Sequence, residues 1–198
     1  MANDPDERLL TEARGASEGD LRAFEQLVLE HQRRIVADCR YMTRDPDMAE
    51  DLAQEVFVKA YFGLRRFEGR SSFRHWLQRI KVHHCINHLK KDEGQKRTSI
   101  EDVPEASERF HAPPAVYREL EAMDTRQRVA AILDSMPATL RVPLVMRDMD
   151  ELSYEEIAEE LGIGLSAAKM RIKRGREEFR QRYELWSAGS SANETGTA

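Results

Sequence analysis

Six cations fall between residues 169 and 180, at the positions that the apolar stripe of one helix would leave to solvent: Lys169, Arg171, Lys173, Arg174, Arg176 and Arg180. Small and apolar residues fill the opposite stripe, at Leu165, Ala168, Ile172, Gly175 and Phe179. A helix of this kind has the charge to neutralise phosphates and the width to enter a DNA major groove. Taken alone, the segment is equally compatible with a solvated helical hairpin.

The residues before this basic helix predict a second helix and a tight turn. Ser153 followed by Glu156 is a capping box, and Gly162 suits the left-handed residue that ends a helix. Ser166 lies near the predicted start of the basic helix. Between the caps, Tyr154, Ile157, Ala158 and Leu161 follow the spacing of one buried helix face. The sequence therefore predicts a helix-turn-helix.

A second segment, residues 67–91, interleaves aromatic and basic side chains: FEGRSSFRHWLQRIKVHHCINHLKK. Rings stack on unpaired bases while cations follow the nucleic-acid backbone, so this mixture is typical of single-strand binding. The helical spacing of Phe73, Trp76 and Ile80 also suits a core, and we expect Trp76 to be partly and Ile80 wholly buried. The remaining basic residues of this predicted helix are Arg74, Arg79, Lys81, Lys90 and Lys91.

A metal site is the alternative for part of this segment. His83, His84, Cys85 and His88 are potential ligands, yet only His84 and His88 are spaced four apart, and no HExxH pattern accompanies them. We therefore favour no metal there.

A third segment is acidic. Pro46 suits the first turn of a helix, and Asp47, Glu50, Asp51, Gln54 and Glu55 follow it. The helix dipole favours negative charge at this end, so the acids can be a solvated face or a docking surface for a basic partner.

Composition favours a helical protein without a membrane segment. The chain has 198 residues, 40% hydrophobic and 34% charged, and lacks both an apolar run of spanning length and a signal-peptide pattern at its start. Two cysteines, Cys39 and Cys85, indicate small buried side chains in a reducing compartment. The net charge is −5, but residues 70–97 hold eight Lys or Arg against two acids. We expect a cytoplasmic protein with no catalytic site and no cofactor.

The chain is predicted to be all-α, with two small helical domains joined by a flexible linker. The first domain spans 8–94, an acidic linker spans 95–116, the second domain spans 117–186, and 187–198 form a disordered tail. In the first domain, a long helix from about 20 to 42 has a predicted core stripe of Leu21, Phe24, Val28, His31, Ile35, Cys39 and Met42. Pro143 inside a predicted helix indicates a kink or a later helix start.

These segments, in this order, resemble the group 4, extracytoplasmic-function (ECF) sigma factors of bacterial RNA polymerase. AFEQLVLEHQRRI, DMAEDLAQEVFVKAY and the aromatic and basic segment resemble the family's second domain, a helical bundle. SMPATLRVPLVMRDMDELSYEEIAEELGIGLSAAKMRIKRGREEF resembles its fourth, a helix-turn-helix. The resemblance implies a promoter-specificity subunit that binds core polymerase through the β′ clamp helices and the β flap. It also implies promoter DNA as a partner and regulation by an anti-sigma factor.

The resemblance also implies roles for individual residues. Asp47, Asp51, Gln54 and Glu55 would dock on the polymerase. Single-stranded DNA of the minus-ten element would meet Phe67, Arg70, Ser71, Phe73, Trp76, His83, Asn87, Lys90 and Lys91. Duplex DNA of the minus-thirty-five element would meet Ser166, Lys169, Met170, Arg171 and Arg174.

Two of these positions depart from the family's pattern. His83 stands where Asn is frequent, and Met170 stands where a small Ser is common. Methionine cannot donate a hydrogen bond, so readout at Met170 would be apolar, for example against a thymine methyl. A stand-alone dimeric helix-turn-helix regulator and a metal- or redox-sensing protein are the alternative functions, and the first leaves residues 46–91 unexplained.

Overall fold

The computed structural model describes residues 6–17, 20–96 and 125–193, and those residues form eight α-helices and one 3-10 turn. The all-α prediction is confirmed. Within the described residues, no helix is both long and apolar enough to span a bilayer. The predicted linker falls mostly outside the described residues, as do the last five residues of the chain.

Four helices build the first half of the protein: α1 (Glu7–Gly15), α2 (Arg22–Thr43), α3 (Pro46–Gly63) and α4 (Phe73–Lys96), with a 3-10 turn at Leu64–Arg66 between α3 and α4. The junction of α2 and α3 shows why the chain turns there. Arg44 adopts a left-handed conformation with φ 67° and ends α2. Asp45 then caps α3, its side chain accepting a 3.1 Å hydrogen bond from the Met48 amide, and Pro46 occupies the first turn.

The core of this half lies between α2, α3 and α4, where Leu27, Ile35, Met42, Val56, Phe73, Leu77 and Val82 are almost completely buried. Cys39 and Cys85 are also fully buried, and their sulfur atoms lie 3.6 Å apart as free thiols. The Cys85 thiol and burial raise the pKa of Cys39, which keeps its thiol protonated. The prediction that both cysteines are core residues is confirmed.

The second half contains α5 (Thr125–Ser135), α6 (Ala138–Asp148), α7 (Tyr154–Leu161) and α8 (Leu165–Asn193). Helix α6 continues through Pro143, which is buried. Helix α8 packs so tightly on α6 that a Cβ atom added to Gly175 would lie 2.9 Å from the Leu140 carbonyl oxygen. The glycine therefore sets the distance between these two helices.

The two halves pack against each other, mainly through arginines. Arg40 on α2 makes a two-pronged ion pair with Asp134 on α5, at 2.9 and 2.6 Å. Arg141 on α6 is buried and donates to the Met42 carbonyl oxygen at 3.1 Å. Arg34 and Arg44 also donate to carbonyl oxygens of the second half, those of Met149 and Met136. Helix α2 therefore holds the second half in place.

Four details differ from the sequence-based predictions. Leu21 and Leu165 lie at the starts of their helices and are 39% and 38% exposed, and Leu21 lines an open groove beside α3 instead of the closed core. Ile80 is only half-buried at the side of the core. Helix α8 runs through Asn193, so the predicted boundary after Trp186 falls inside a helix. Extending a helix that has already formed adds one hydrogen bond for each residue that joins it.

Candidate nucleic-acid and polymerase interfaces

The predicted helix-turn-helix is present, with both of its caps. Ser153 Oγ accepts from the Glu156 amide at 3.1 Å, and Glu156 Oε2 accepts from the Ser153 amide at 2.9 Å. Gly162 adopts φ 67° and ends α7. Burial opposes ionisation of Glu156, but hydrogen bonds from Ser153 and His75 outweigh it and lower the pKa of the carboxyl. The turn therefore fixes where α8 begins.

Helix α8 turns its predicted DNA-contact residues outward. Ser166, Lys169, Met170 and Arg174 are exposed, Met170 by 50%, and Arg171 is half-buried. The Lys169 ammonium lies 5.7 Å from the centre of the Tyr154 ring. Ala168 and Ile172 are buried on the inner side, as predicted.

Arg176 has a different role from the other cations of α8. Its guanidinium makes hydrogen bonds of 2.9 and 2.5 Å to the carboxylate of Asp148 on α6, which raise the pKa of the arginine. This pair fixes α8 against α6, so Arg176 orients the helix from within the domain. The spacing of the cations alone does not distinguish Arg176 from the others.

The aromatic residues near the start of α4 form one cluster. Phe67 is 7% exposed and Phe73 is fully buried, while Trp76 is half-buried. The centre of the Phe67 ring lies 4.9 Å from the centre of the Trp76 ring and 6.1 Å from that of the Phe73 ring. The Arg14 guanidinium lies 5.1 Å from the centre of the Phe67 ring. In this conformation the two phenylalanines are core residues that support the loop, and Trp76 is the one ring of the three that is partly accessible.

The polar candidates beside this cluster are exposed. Arg70 pairs with Glu68 at 2.6 Å, and Ser71 is exposed in the loop before α4. Along α4, His83 is 64% exposed in its side chain and lies 2.9 Å from the Asn87 amide nitrogen. Lys90 and Lys91 are exposed further along the helix. Together, these residues of α4 and the loop before it present hydrogen-bonding groups and positive charge to solvent.

Three of the four potential metal ligands of α4 have separate partners. His83 contacts Asn87, the His84 ring nitrogen lies 3.2 Å from Glu55, and Cys85 packs in the core against Cys39. The side chains thus diverge from one another, and this arrangement does not build one coordination sphere.

The predicted polymerase-docking residues form an exposed face of α3. Asp47, Asp51, Gln54 and Glu55 all face solvent. Beyond the acids, the same helix presents an apolar groove of about 240 Å³, lined by Leu21, Phe24, Phe57, Val58, Tyr61 and Phe62. Val58 and Phe62 are 54% and 74% exposed. Sequence reasoning missed this groove, although apolar residues on the solvent side of α3 were its signal.

Lys81 was grouped with the basic face of α4, and the structure corrects that interpretation. Its side chain is fully buried between the two halves, with Nζ 2.5 Å from Asp150 and 3.6 Å from Asp38. Gln78 donates to Asp38 at 3.2 Å. Burial raises the pKa of Asp150 to about 7, against the attraction of the Lys81 ammonium. Burial alone would lower the pKa of Lys81, but the two carboxylates raise it.

The fold and surfaces of the described residues define a class: an all-helical protein with a helix-turn-helix, an aromatic and basic helix, and a separate exposed acidic face. Comparisons with known proteins agree. Residues 27–95 match the family described as sigma-70 region 2, and residues 126–179 match sigma-70 region 4. The RNA polymerase sigma-H factor of Pseudomonas aeruginosa is 34% identical over 165 residues, covering 80% of this chain and 85% of that protein.

The ECF RNA polymerase sigma-E factor of Escherichia coli K12 is also 34% identical, over 166 residues with the same coverage. The fold resembles the sigma factor RpoE from Bartonella quintana, solved in complex with the anti-sigma factor NepR, with TM-score 0.56, 21% identity, and 82% and 97% of the two chains covered. The chain belongs to the sigma-70 family of RNA polymerase sigma factors, in its ECF group.

Proposed function

We propose that this sigma factor reads the minus-thirty-five element as duplex DNA with α8 and the minus-ten element as a single strand with α4 and the loop before it. The observation that carries the proposal is the exposed row on α8, positioned by the capping box and by the close approach of Gly175 to α6. A rigidly placed helix with outward cations is what major-groove recognition needs.

At the minus-thirty-five element, Lys169, Arg171 and Arg174 contact phosphates or base edges, and Ser166 at the start of α8 donates to the backbone. Met170 is 50% exposed among them and offers apolar surface. Base readout at Met170 is therefore a contact with a thymine methyl.

At the minus-ten element, an extruded base is held near the loop between Phe67 and Phe73. Because both rings are buried, their part is to support the loop, while Arg70, Ser71 and the half-buried Trp76 contact the nucleotide. His83 and Asn87 meet base edges, and Lys90 and Lys91 follow the phosphates. No covalent chemistry and no cofactor are required.

The acidic face of α3 docks on the β′ clamp helices of core polymerase, and the fourth region contacts the β flap. Asp47, Asp51, Gln54 and Glu55 supply charge complementary to a basic partner. The apolar groove that starts at Val58 extends this surface and adds buried area to the complex. Regulation by an anti-sigma factor and action in the cytoplasm, where the polymerase works, complete the proposal.

Run-off transcription tests this function. Core polymerase with the purified chain should start transcripts from a genomic promoter library that core polymerase alone does not make. Absence of any stimulated transcript, with the chain folded by circular dichroism, would refute the proposal.

A further inference from the structure

We infer that the first helix, α1, braces the loop between Phe67 and Phe73 from both ends, so that Arg14 and Asp6 are positioning residues for the choice of the minus-ten base. This inference rests on the proposed role of that loop in holding an extruded base. It gives a part in promoter recognition to α1, which lies outside the residues that match sigma-70 region 2.

The loop is an exposed segment, residues 68–72, between two buried phenylalanines. Its far end is fixed locally, because Ser72 Oγ accepts a 3.2 Å hydrogen bond from the His75 amide at the start of α4. At its near end, the Phe67 amide donates to the Leu64 carbonyl oxygen at 3.2 Å and closes the 3-10 turn. Beyond that bond the chain leaves the turn, so the direction of the loop depends on what holds Phe67.

Arg14, in the last turn of α1, makes contacts at this near end. Its guanidinium donates a hydrogen bond to the Phe67 carbonyl oxygen and lies 5.1 Å from the centre of the Phe67 ring. A charged donor makes a stronger hydrogen bond than a neutral one, and a guanidinium within about 6 Å of a ring centre is attracted to the ring. One side chain therefore restrains both the backbone and the ring of the residue where the loop begins.

Asp6, at the other end of α1, acts on the far end of the loop through His31 of α2. Asp6 is almost completely buried, and its carboxylate oxygen lies 2.9 Å from His31 Nε2. The His31 ring packs edge-to-face with the buried Phe73 ring, with 5.5 Å between the ring centres. Because the carboxylate holds the imidazole in one orientation, Asp6 sets the surface against which Phe73 packs.

Helix α1 can act as a brace because it is itself anchored. Leu9 and Leu10, which lie between the two polar residues in sequence, are buried in the core. Asp6 and Arg14 are eight residues apart, which is about 12 Å along a helix. A short helix is stiff over that length, so the two ends of the loop are restrained relative to each other.

The expected consequence is for base choice more than for overall affinity. A pocket distinguishes bases by hydrogen bonds to base edges, which need groups held in a precise geometry, whereas phosphate contacts carry no sequence information. Loosening the ends of the loop should therefore lower discrimination at the minus-ten element. The exposed cations of α4 and α8 should still hold the DNA backbone.

Run-off transcription tests this, with core polymerase and promoters that carry each base in turn at every minus-ten position. Arg14→Met removes the guanidinium and keeps a linear side chain. Arg8→Met is the matched control, because Arg8 is an exposed arginine of the same helix that pairs only loosely, at 3.7 Å, with Glu12. Arg14→Lys is the conservative variant, since its ammonium can still donate to the Phe67 carbonyl oxygen.

We expect Arg14→Met to lower the ratio of transcript from the preferred base to transcript from the next base at least about fivefold, at the position where the unaltered chain discriminates most. Arg8→Met and Arg14→Lys should keep this ratio within about twofold of the unaltered chain. Discrimination in a matching minus-thirty-five library should not change. An unchanged minus-ten ratio in Arg14→Met, or an equal loss of transcript from every promoter, would overturn the inference.

The other end of the brace is tested in the same library. Asp6→Ala removes the acceptor that holds His31, and Glu7→Ala, at the exposed neighbouring position, is its control. Asp6→Ala should also lower the minus-ten ratio, by at least about threefold, while Glu7→Ala should not. Equal ratios in these two variants would show that Asp6 has no part in positioning the loop.

Loop mobility gives a second readout that needs no DNA. A nitroxide at Ser71→Cys reports on the loop, since Ser71 is exposed and both native cysteines are fully buried. We expect a narrower central line in the electron paramagnetic resonance spectrum, from faster rotation of the label, when Arg14→Met is added. Adding Arg8→Met should leave the line unchanged. Equal line widths in the two proteins, with equal helical content by circular dichroism, would also overturn the inference.

The two proposals can fail separately. The nitroxide line width does not depend on transcription, so it judges the brace even where the unaltered chain starts no transcript, the result that refutes the proposed function. Unchanged minus-ten preferences in an Arg14→Met protein that transcribes would refute the positioning role alone.

Discussion

The Nζ atom of Lys81 lies 2.5 Å from an oxygen of Asp150, and both side chains are completely shielded from solvent between the second and fourth regions. Removing one partner of a buried pair leaves a charge without compensation. We expect Lys81→Met to lower the free energy of unfolding by about 3–5 kcal/mol at pH 8. Urea unfolding followed by circular dichroism measures this. Arg180→Met, at an exposed position, is the control, and an equal loss in both variants would contradict the prediction.

The raised pKa of Asp150, about 7 against an ordinary 3.8, predicts a pH dependence of opposite sign to that of most carboxyls. Between the two pKa values the folded chain retains a proton there that the unfolded chain has lost, so stability falls as pH rises from about 4 to about 7 and levels off above that. Lys81 from α4 and Asp38 from α2 are the charged groups that face it. Asp150→Asn should remove this dependence, on the order of 1–2 kcal/mol. The free energies of unfolding of the two proteins should be measured at pH 5.5 and at pH 8. A difference between the proteins that is the same at both pH values would refute the prediction.

Replacing Gly175 with alanine should create a steric clash between α6 and α8. An alanine Cβ would come 2.9 Å from the Leu140 carbonyl oxygen and 3.3 Å from Leu144 Cβ, so α6 and α8 must separate. Alanine has the better helix propensity, but the clash outweighs it, and Gly175→Ala should cost about 1–2 kcal/mol. It should also weaken duplex binding, because α8 changes its placement. Gly15→Ala, which meets nothing within 4 Å, should change stability by less than about 0.5 kcal/mol.

The acidic face of α3 predicts a charge-reversal effect on assembly. Asp51→Arg should abolish binding to core polymerase, since a cation would face a basic partner, while leaving helical content and duplex affinity unchanged. Glu12→Arg makes the same charge change at an exposed position of α1. Native-gel or interferometry titrations with core polymerase distinguish the two, and undiminished affinity of the Asp51 variant would mean that these acids are only solvated.

Replacing His83 should change the specificity for the minus-ten element. The ring is largely exposed and hydrogen-bonds with Asn87, so His83→Asn should alter the preferred minus-ten base more than the overall promoter affinity. Transcription from a library of minus-ten variants measures this preference. His88→Asn, on the same helix, is the control, and an equal effect on every promoter would argue against a specific role.

Local signals were sufficient to predict most elements of the fold. The Ser153 and Glu156 pair, Gly162 and Pro46 were all found at the caps that they predicted, because caps depend on neighbouring residues. Burial at helix ends was predicted less well, as Leu21 shows, because periodicity assigns a residue to a face of its own helix but does not show how completely another helix covers that face. The assignment of Lys81 to a DNA face failed for the same reason, since its partner Asp150 is 69 residues away along the chain.

The candidate sites show the same limit. Charge and aromatic content predicted three candidate surfaces, and the polar residues predicted on them are exposed apart from the half-buried Arg171. The structure was needed to show which residues of each surface make internal contacts. Arg176 pairs with Asp148 on α6, Phe73 is buried in the core, and Glu156 of α7 contacts His75 of α4. Each of these depends on contacts between segments far apart in sequence.

Arg34 and Arg40 on α2, and Arg44 at the residue that ends it, all reach the fourth region, and α3 packs along the same helix. The acidic face of α3 and the helix-turn-helix half are therefore mechanically connected through α2, by a path that does not use the intervening linker. A small rotation of α2 on docking would pull on all three guanidinium anchors together.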